Sequence, residues 1–374
     1  MHPLYTEWRL WLEGFSDNSG QKLTDGNYVA FLPSSKSFVP VILKLIEESQ
    51  RLITYQFFGI EADSGGRPIA QALKNASSRG VSVKVMLDGT ELFLRTNGYW
   101  SFLPFQPDEV RREKAATKAM LKEMEEGGIE IFRYGWKYLH YRHHAKALIS
   151  DNAFLVIGGF NPTEHNCVWH DVCAVASGPI VIEAQKMFND VFRRSGKGRA
   201  PLEVFSNFES NHGSVKSSCV MIANRPVEGC FDLSHLLLKL VQRAQSSIRI
   251  ENGYLTDRSM LRALVEAKKR GVATVQVIVP SGSNHPSVDW LFRRKIPKLL
   301  EQGIEVYLYP GMTHAKVMAI DDLVVSVGSA NLERFSLRYQ NEGNLIALDP
   351  DGQLGKRFYD EVFAPDLQKS KRVE

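Results

Sequence analysis

Three things that this 374-residue chain lacks narrow what it can be. No apolar run approaches the roughly 18 residues that a spanning helix needs, and no basic segment followed by an apolar core opens the chain, so neither a spanning helix nor a signal peptide is expected. No Cys-x2-Cys pair occurs among Cys167, Cys173, Cys219 and Cys230, which favours free thiols over a metal site or a disulfide framework. No strong charge excess exists either, since 46 basic and 42 acidic side chains leave +4, too little to indicate nucleic-acid binding by itself. The chain is predicted to be cytoplasmic and at most peripherally attached to a membrane.

The most informative feature that is present is a pattern of residues that occurs twice. The first copy comprises His144, Lys146, Asp151, Gly158, Gly159 and Asn161. The second copy, at identical spacing, comprises His314, Lys316, Asp321, Gly328, Ser329 and Asn331. Each position would match at random about one time in twenty, so repetition of the whole pattern has a low false-positive risk.

The residue types in this pattern suit a phosphodiester. A neutral imidazole is a nucleophile near neutral pH and an imidazolium is an acid, so His144 and His314 can divide the work at one phosphorus. One attacks, while the other protonates the departing alkoxide and then deprotonates the incoming hydroxyl. The two lysines and the two asparagines can hold the charge of the equatorial oxygens. This chemistry needs no metal and no cofactor, and none is predicted.

The local sequence around each copy indicates how these groups are presented. Histidine and lysine are two positions apart, so on a strand they project from the same face. Apolar stretches on either side of Asp151 and Asp321 predict two short strands joined by a tight turn, where an aspartate usually bonds nearby backbone. We interpret these aspartates as structural, together with the Gly-Gly and Gly-Ser pairs that follow them, because small residues permit close approach of the backbone.

Two carboxylates stand at matching distances after the histidines. Asp171 lies 27 residues after His144, and Glu342 lies 28 residues after His314. A catalytic imidazole usually needs a carboxylate on its second nitrogen, which fixes the tautomer and stabilises the cation. Asp171 and Glu342 are predicted to fill this role.

The duplicated motif resembles that of the phospholipase D superfamily, and the resemblance extends over residues 35–350 approximately. The Gly-Gly and Gly-Ser pairs and the run from Asn331 to Glu342 are similar to the lipid-acting branch, above all to bacterial cardiolipin synthases. The resemblance implies transfer of a phosphatidyl group from a phospholipid to an alcohol or water, through a phosphohistidine and without a metal. It also implies that His144 is the nucleophile and His314 the acid. The sequence departs from many cardiolipin synthases in showing no N-terminal pair of spanning helices.

The repeat extends beyond the motifs and predicts the fold. Each half shows an amphipathic helix, a strand, a second helix that ends at a glycine (Gly80 or Gly271) and another strand. This succession implies an α/β protein with two fused, pseudo-two-fold-related α/β/α halves, mixed but mostly parallel sheets and one shared active site at the interface. The predicted boundaries are an N-terminal amphipathic segment at 1–27, a first half at 28–194, a linker at 195–218 and a second half at 219–374.

An aromatic insertion distinguishes the first half from the second. Arg79 and His144 are 65 residues apart, whereas Arg270 and His314 are 44 apart, and the extra residues fall near 91–120. Among them, Trp100, Phe102 and Phe105 are predicted to bind acyl chains or the membrane interface, which aromatic rings favour. The alternative is that these rings pack onto the core of the domain itself.

Other segments could also meet a membrane. The N-terminal segment has one apolar face with two tryptophans, but its polar face lacks a basic cluster, which favours packing against the protein itself. Basic clusters, such as Arg293, Arg294, Lys295 and Lys298, could contact anionic headgroups or phosphate backbones, although such runs are more often solvated helix faces.

Two rival functions remain beside phosphatidyl transfer. A nuclease could use the same phosphohistidine chemistry, and a basic groove beside the two histidines would favour it. A catalytically silent lipid-binding scaffold is the other rival, and two complete copies of the motif argue against it. The expected partners are a phospholipid substrate, an alcohol or water acceptor and a membrane surface, with nucleic acid expected only for a nuclease.

Overall fold

One mixed β-sheet of 16 strands organises the molecule. The computed structural model describes residues 1–90, 108–135, 141–204 and 214–374, together with the backbone of two short strands at 95–96 and 99–100. Alternate residues of the central strand at Val215–Asn224 enter different cores, Val220 and Ile222 on one face and Cys219 and Met221 on the other. Both faces of the sheet are therefore covered.

The elements follow one another in a helix and strand alternation. The strands are β1 Thr24–Leu32, β2 Leu52–Gln56, β3 Ser82–Asp88, β4 Arg95–Thr96, β5 Tyr99–Trp100, β6 Glu130–Tyr134, β7 Arg142–His143, β8 Ala147–Ser150, β9 Phe154–Gly158, β10 Cys173–Ser177, β11 Val215–Asn224, β12 Ser247–Asn252, β13 Thr274–Pro280, β14 Glu305–Tyr309, β15 Lys316–Ile320, β16 Val324–Gly328, β17 Gln340–Leu348 and β18 Lys371–Arg372. The α-helices are α1 Tyr5–Asn18, α2 Ser35–Glu48, α3 Gly66–Ser78, α4 Asp108–Glu126, α5 Glu164–Val168, α6 Ile180–Phe192, α7 Asp232–Arg243, α8 Arg258–Lys269, α9 Pro286–Arg293, α10 Ile296–Glu301, α11 Arg334–Tyr339, α12 Gln353–Phe358 and α13 Ala364–Lys369.

The strand order shows the internal symmetry of the fold. Toward the middle of the sheet, the first half runs β6-β3-β2-β8-β9-β10-β1, and the second runs β14-β13-β12-β15-β16-β17-β11, with β18 added outside β14. The innermost strands β1 and β11 pair antiparallel and join the halves into one sheet. The predicted α/β class with two related halves is confirmed, and α3 and α8 end where predicted, at Gly80 (φ 88°) and Gly271 (φ 97°).

The prediction of a mostly parallel sheet is wrong. Three consecutive strands in each half run parallel, β2-β3-β6 and β12-β13-β14, and the short strand β7 pairs parallel with β17. The inner strands pair antiparallel, because β8 joins β9 and β15 joins β16 through tight turns, and a hairpin connection can only link antiparallel neighbours. The sequence indicated these two hairpins, but it did not indicate that the strands beside them also pair antiparallel.

The first strand of each half begins slightly before the predicted boundary, and the extra length of the first half occupies a shorter range than predicted. Strand β1 begins at Thr24 and β11 at Val215, each shortly before the boundary predicted for its half. The extra length of the first half lies between Asp88 and Asp108, whereas only a short loop separates β13 from α9. Helix α4 thus corresponds to helices of the second half rather than to an insertion. Phe102, Phe105 and the side chain of Trp100 lie outside the described residues.

The N-terminal helix α1 packs on the second half. Trp8 and Leu12 are 2% and 1% exposed and belong to the core formed with α7 and α8. Packing against the protein itself, the alternative favoured by the sequence, is therefore confirmed for this helix. No helix in the described ranges combines the length and apolar character that crossing a bilayer requires. All four cysteines are free thiols, as predicted.

Candidate active site

The two copies of the motif meet in one site. His144 and Lys146 lie in the extended segment that leads into β8, while His314 lies two residues before β15, which begins at Lys316. In each copy the lysine ammonium donates to the carbonyl of its own histidine, at 2.6 Å for Lys146 and 2.5 Å for Lys316. All four side chains are buried. The charge of each lysine lowers the pKa of both imidazoles, so the halves share a single electrostatic environment.

The two carboxylates pair with the histidines across the halves. Glu342 Oε1 lies 2.9 Å from Nδ1 of His144, and Asp171 Oδ2 lies 2.9 Å from Nδ1 of His314. The sequence spacing counts each carboxylate from the histidine of its own half, but the fold delivers it to the histidine of the other half. The backbone repeats the exchange, because each histidine N–H donates to the carbonyl of the residue just before that carboxylate, at 2.9 and 2.6 Å.

This exchange orients both imidazole rings. With Nδ1 held by a carboxylate, Nε2 is the nitrogen that each ring directs away from its dyad, toward a substrate. Neither half holds a complete dyad by itself, since the carboxylate on β17 serves His144 and the one before β10 serves His314. The site therefore requires both halves.

The small residues after β9 and β16 differ in what they do. A Cβ added at Gly159 would lie 2.6 Å from Oδ2 of Asp171, so glycine is needed for the carboxylate to fit. Ser329, at the matching position, instead donates its hydroxyl to Oε2 of Glu342. Ser336 donates to the other oxygen of Glu342, an interaction that the sequence analysis missed.

The remaining small and acidic motif residues have structural contacts. Asp151, in the β8–β9 turn, accepts hydrogen bonds from the backbone N–H groups of residues 50–52, and Asp321 accepts them from residues 245–247. Both aspartates have positive φ, 51° and 56°, as a tight hairpin turn requires. A Cβ at Gly158 or Gly328 would meet atoms of β10 or β17 at 2.5 and 2.2 Å. These contacts agree with the structural role that we assigned to them.

Burial and like charge hold both imidazoles neutral in the free site. Burial is the largest cause, followed by the lysines, and the pKa of His314 falls to about 3 while the pKa of His144 falls well below 6.5. Burial also raises the pKa of Glu342 to about 7 and lowers the pKa of Lys316 to about 8. A bound phosphodiester would bring a negative charge that favours protonation of an imidazole and of the lysines.

The two asparagines are buried beside the histidines. Oδ1 of Asn161 accepts from the backbone N–H of Phe58 at 3.0 Å, which leaves its amide N–H groups to donate elsewhere. The backbone N–H of Asn331 donates to Oγ of Ser336 at 3.0 Å, and its Oδ1 finds no hydrogen-bond partner in the described ranges. Their predicted role in holding phosphoryl oxygens is compatible with these contacts.

Aromatic side chains line the site at positions that the sequence analysis did not single out. The ring of Phe58 lies 5.0 Å from that of His144, and the rings of Trp169 and Tyr254 lie 5.6 and 6.4 Å from that of His314. Phe58 and Tyr254 each stand two residues beyond the end of the strand that pairs with the histidine strand. The sequence repeat places these two residues at equivalent positions, which lie at the rim of the site in both halves.

Two groups of side chains have the geometry to hold a cation. The ligand-type atoms of His170, Glu251 and Asp366 lie within 4.8 Å of one another, as do those of Glu61, Asp63 and Glu113. In the first group, Asp366 pairs with His170 at 2.7 Å and with Lys369 at 3.0 Å. Burial raises the pKa of Glu251 to about 8, and Asp366 is paired with His170 and Lys369, so these contacts describe an internal polar cluster.

The fold and site define a class of protein. A family model described as cardiolipin synthase, PLD-like domain, matches residues 42–194 and 237–362, so the chain belongs to this phospholipase D-like family. The predictions of this family and of an enzyme of the phosphatidyltransferase type are confirmed.

Individual relatives sharpen the assignment. The chain is 27% identical to cardiolipin synthase A of Pseudomonas putida, over 93% of this chain and 72% of the relative. It is 24% identical to cardiolipin synthase 1 of Staphylococcus epidermidis, over 93% and 69%. Among solved structures, phosphatidylserine synthase of Haemophilus influenzae aligns with a TM-score of 0.74 and 15% identity, covering 96% of this chain and 91% of the other. At this low identity, the similarity supports the fold and not a shared activity.

Proposed function

We propose that the chain cleaves a phospholipid at its headgroup phosphodiester and passes the phosphatidyl group to an alcohol or water through a phosphohistidine. The observation that carries the proposal is the pair of histidine–carboxylate dyads, each built from both halves and sharing two buried lysines. The cardiolipin synthase relatives, which cover most of the chain, support a phospholipid as substrate. The proposed place of action is a membrane surface on the cytoplasmic side, where the enzyme binds peripherally.

In the first step, Nε2 of His144 attacks the phosphorus. A P–N bond forms, the P–O bond to the headgroup breaks, and the proton on Nε2 of His314 moves to the leaving oxygen. His144 is suited to attack because burial, followed by the charges of Lys146, Lys316 and Arg142, lowers its pKa and keeps it neutral. The lysines and the amides of Asn161 and Asn331 then hold the phosphoryl oxygens as their charge develops.

In the second step, the acceptor hydroxyl loses its proton to Nε2 of His314. Its oxygen attacks the phosphorus, the P–N bond breaks and His144 returns to its neutral form. Asp171 stabilises the imidazolium of His314 before the first step and after the second, and its hydrogen bond acts in the direction that raises the pKa of His314. With water as acceptor the product is a phosphatidic acid, and with an alcohol it is a new phosphodiester.

The test is product analysis on the purified protein. Radiolabelled phosphatidylglycerol and phosphatidylethanolamine are supplied in mixed micelles with glycerol as acceptor, with and without EDTA, beside single- and double-stranded DNA and RNA. We expect labelled phosphatidyl products that form equally well in EDTA. Cleavage of nucleic acid without any lipid product would establish the nuclease instead. Loss of activity in EDTA, restored by one particular metal, would overturn the metal-free mechanism.

The covalent intermediate needs its own test. His314→Ala lacks the proposed acid, so a substrate with a good leaving group, such as a p-nitrophenyl phosphodiester, should load His144 and stop there. A phosphoramidate survives alkali and is lost in acid, which distinguishes it from a phosphoester. Peptide mapping after an alkaline quench should place the label on His144, and label on any other residue would contradict the assignment.

A further inference from the structure

Exposed apolar side chains are concentrated around the mouth of the site. Nine large apolar side chains are exposed in the part of the chain that the structure describes, and four of them stand on short helices beside the catalytic histidines. These four are Val168, Trp290, Leu291 and Phe335, which are 80%, 56%, 48% and 45% exposed. Scattered single residues of this kind are ordinary, but a group around one opening marks an interaction surface.

Helix α9 carries two of the four and lies beside the segment that follows β12. Its side chains Val288 and Phe292 line a small pocket together with residues 253–255, and Phe292 shares a hydrophobic core with Leu255. That segment touches the catalytic strand, since a Cβ at Gly253 would lie 3.5 Å from Cα of His314. The outer face of α9 therefore lies at the edge of the sheet where the substrate must enter.

The outer face of α9 continues into a basic surface. Trp290, Leu291 and Arg294 are exposed on the same side of the helix, and the guanidinium of Arg294 lies 4.7 Å from the centre of the Trp290 ring. Lys295 and Lys298 are exposed next to them. Residues 286–301 hold four basic and two acidic side chains, a net charge of +2, and the carboxylate of Asp289 is engaged by the backbone N–H of Ser283 at 2.7 Å.

The other two apolar residues flank the same opening. Val168 directly precedes Trp169, whose ring lies 5.6 Å from that of His314. The ring of Phe335 lies 5.7 Å from Tyr339, which stacks on Tyr141 in the segment leading to His144. Exposed apolar side chains thus lie near both histidines, and exposed basic side chains accompany them on α9 and α10 and, at Arg334 and Arg338, on α11.

We propose that α9 and α10 form the surface by which this enzyme docks on an anionic phospholipid bilayer, an inference that rests on the proposed function. Trp290 and Leu291 enter the headgroup region, where an indole ring is favourable, while Arg294, Lys295 and Lys298 contact lipid phosphates. Docking there brings the site mouth onto the bilayer, so that a phosphodiester in the headgroup layer reaches the two histidines without the lipid leaving the membrane.

The test measures vesicle binding without turnover. The full-length protein is sedimented with vesicles of phosphatidylcholine alone and of phosphatidylcholine mixed with phosphatidylglycerol. Wild type should prefer the anionic vesicles, and high salt should weaken the preference. The double variant Trp290→Ser with Leu291→Ser should bind at least about tenfold more weakly, since two apolar side chains no longer leave water. Arg294→Glu with Lys295→Glu should abolish the preference for anionic vesicles.

Matched controls lie at the opposite ends of the strands, away from the site. Leu202 and Val204 are 42% and 61% exposed in the segment that Asn152 holds beside the β8–β9 turn. Leu202→Ser with Val204→Ser removes comparable apolar surface there. Lys239→Glu with Lys269→Glu, near the ends of α7 and α8, makes the same change in charge. Both controls should bind vesicles as wild type does, and equal losses in controls and test variants would overturn the proposal.

Two further measurements distinguish a loss of membrane docking from a loss of folding and from a loss of catalysis. Hydrogen exchange of the wild-type protein should slow over 286–301 when anionic vesicles are added, and unchanged exchange there would overturn the docking surface without any variant. If vesicles bind through this surface but no lipid is turned over, the proposed function fails and the docking stands. If lipid is turned over in mixed micelles while the variants bind vesicles normally, the docking fails alone.

Discussion

The two histidine dyads occupy equivalent places in a symmetric fold, yet their surroundings differ. The Asp171 carboxylate raises the pKa of His314 through a hydrogen bond and through its charge, which partly offsets burial and the lysines. For His144, burial lowers the pKa most, three cations lower it further, and a backbone hydrogen bond at Ser329 acts in the opposite direction. Glu342 is also engaged by two hydroxyls, those of Ser329 and Ser336. Burial and the lysines thus keep both imidazoles neutral in the free site, and Asp171 is the group that favours the charged form of His314.

The largest effect should come from removing either imidazole. His144→Ala and His314→Ala should each lower turnover of phospholipid on the order of 10⁴-fold, and the double variant should be hardly worse, because residues that act as a unit are not additive. The comparison sharpens with an activated p-nitrophenyl phosphodiester. Its leaving group needs no acid, so His314→Ala should retain a burst of nitrophenol, whereas His144→Ala should show none. A burst in His144→Ala alone would reverse the roles of the two histidines.

Exchanging the small residues beside the carboxylates should have the next largest effect. Gly159→Ala places a methyl group 2.6 Å from Asp171 Oδ2 and should displace that carboxylate from His314, lowering kcat by roughly a hundredfold. Ser329→Ala removes one hydroxyl from Glu342 and should lower kcat about tenfold. The measurement is kcat on mixed micelles, with circular dichroism to verify folding. A greater loss of kcat in Ser329→Ala than in Gly159→Ala would show that the His144–Glu342 dyad is the more sensitive of the two.

The sequence predicted much of this site because its signal is local. The spacing of histidine, lysine, aspartate and glycine within each copy reflects one strand, one turn and the next strand, and the structure reproduces these elements. The pairing of carboxylates was not predictable in the same way. Chain spacing measures distance along one half, whereas Asp171 and Glu342 reach the histidine of the other half because β10 and β17 lie near the centre of a joined sheet.

Other features escaped because they depend on tertiary contact. Ser336 reaches Glu342 only when α11 folds back beside β17, and no motif spacing marks it. The cluster of His170, Glu251 and Asp366 joins three segments that are far apart in the sequence. At the equivalent place beside His144, the positions that match Glu251 and His170 are Gln56 of the first half and Asn341 of the second, so this charged cluster has no copy there. A search for repeated residues cannot find what the repeat does not share.

The pH dependence should separate the two kinds of buried charge. In the free enzyme, Glu342 must be ionised to support His144, so kcat/KM should fall as pH drops below about 7, the pKa of this buried carboxyl. Lys316 must be protonated to hold the phosphoryl oxygens, so kcat/KM should fall as pH rises above about 8. We expect a bell-shaped profile with a maximum between these values.

Substitutions identify the two limbs of that profile. Glu342→Gln should remove the acid limb, and Lys316→Arg, which stays protonated, should move the basic limb to higher pH. The basic limb of kcat should also lie higher than that of kcat/KM, because a bound phosphodiester favours the ammonium form. An unchanged basic limb in Lys316→Arg would show that another group controls it.

The smallest expected effect concerns the motif aspartates, because side chains as well as backbone donate hydrogen bonds to Asp321. Asp321 accepts from Oγ of Ser246 at 3.1 Å and from Nε1 of Trp8 at 3.0 Å in addition to three backbone N–H groups, whereas Asp151 accepts from the backbone N–H groups of residues 50–52. Trp8→Phe removes the indole donor from a buried carboxylate and should lower the free energy of unfolding by about 1–3 kcal/mol. The value of kcat should not change, because α1 packs in the hydrophobic core of the second half and not in the site. Trp11→Phe is the matched control, since Trp11 packs on Trp8 with ring centres 5.5 Å apart but is not the residue that bonds Asp321. Urea unfolding should show the larger loss for Trp8→Phe, and equal losses for the two variants would mean that α1 is held by apolar packing alone.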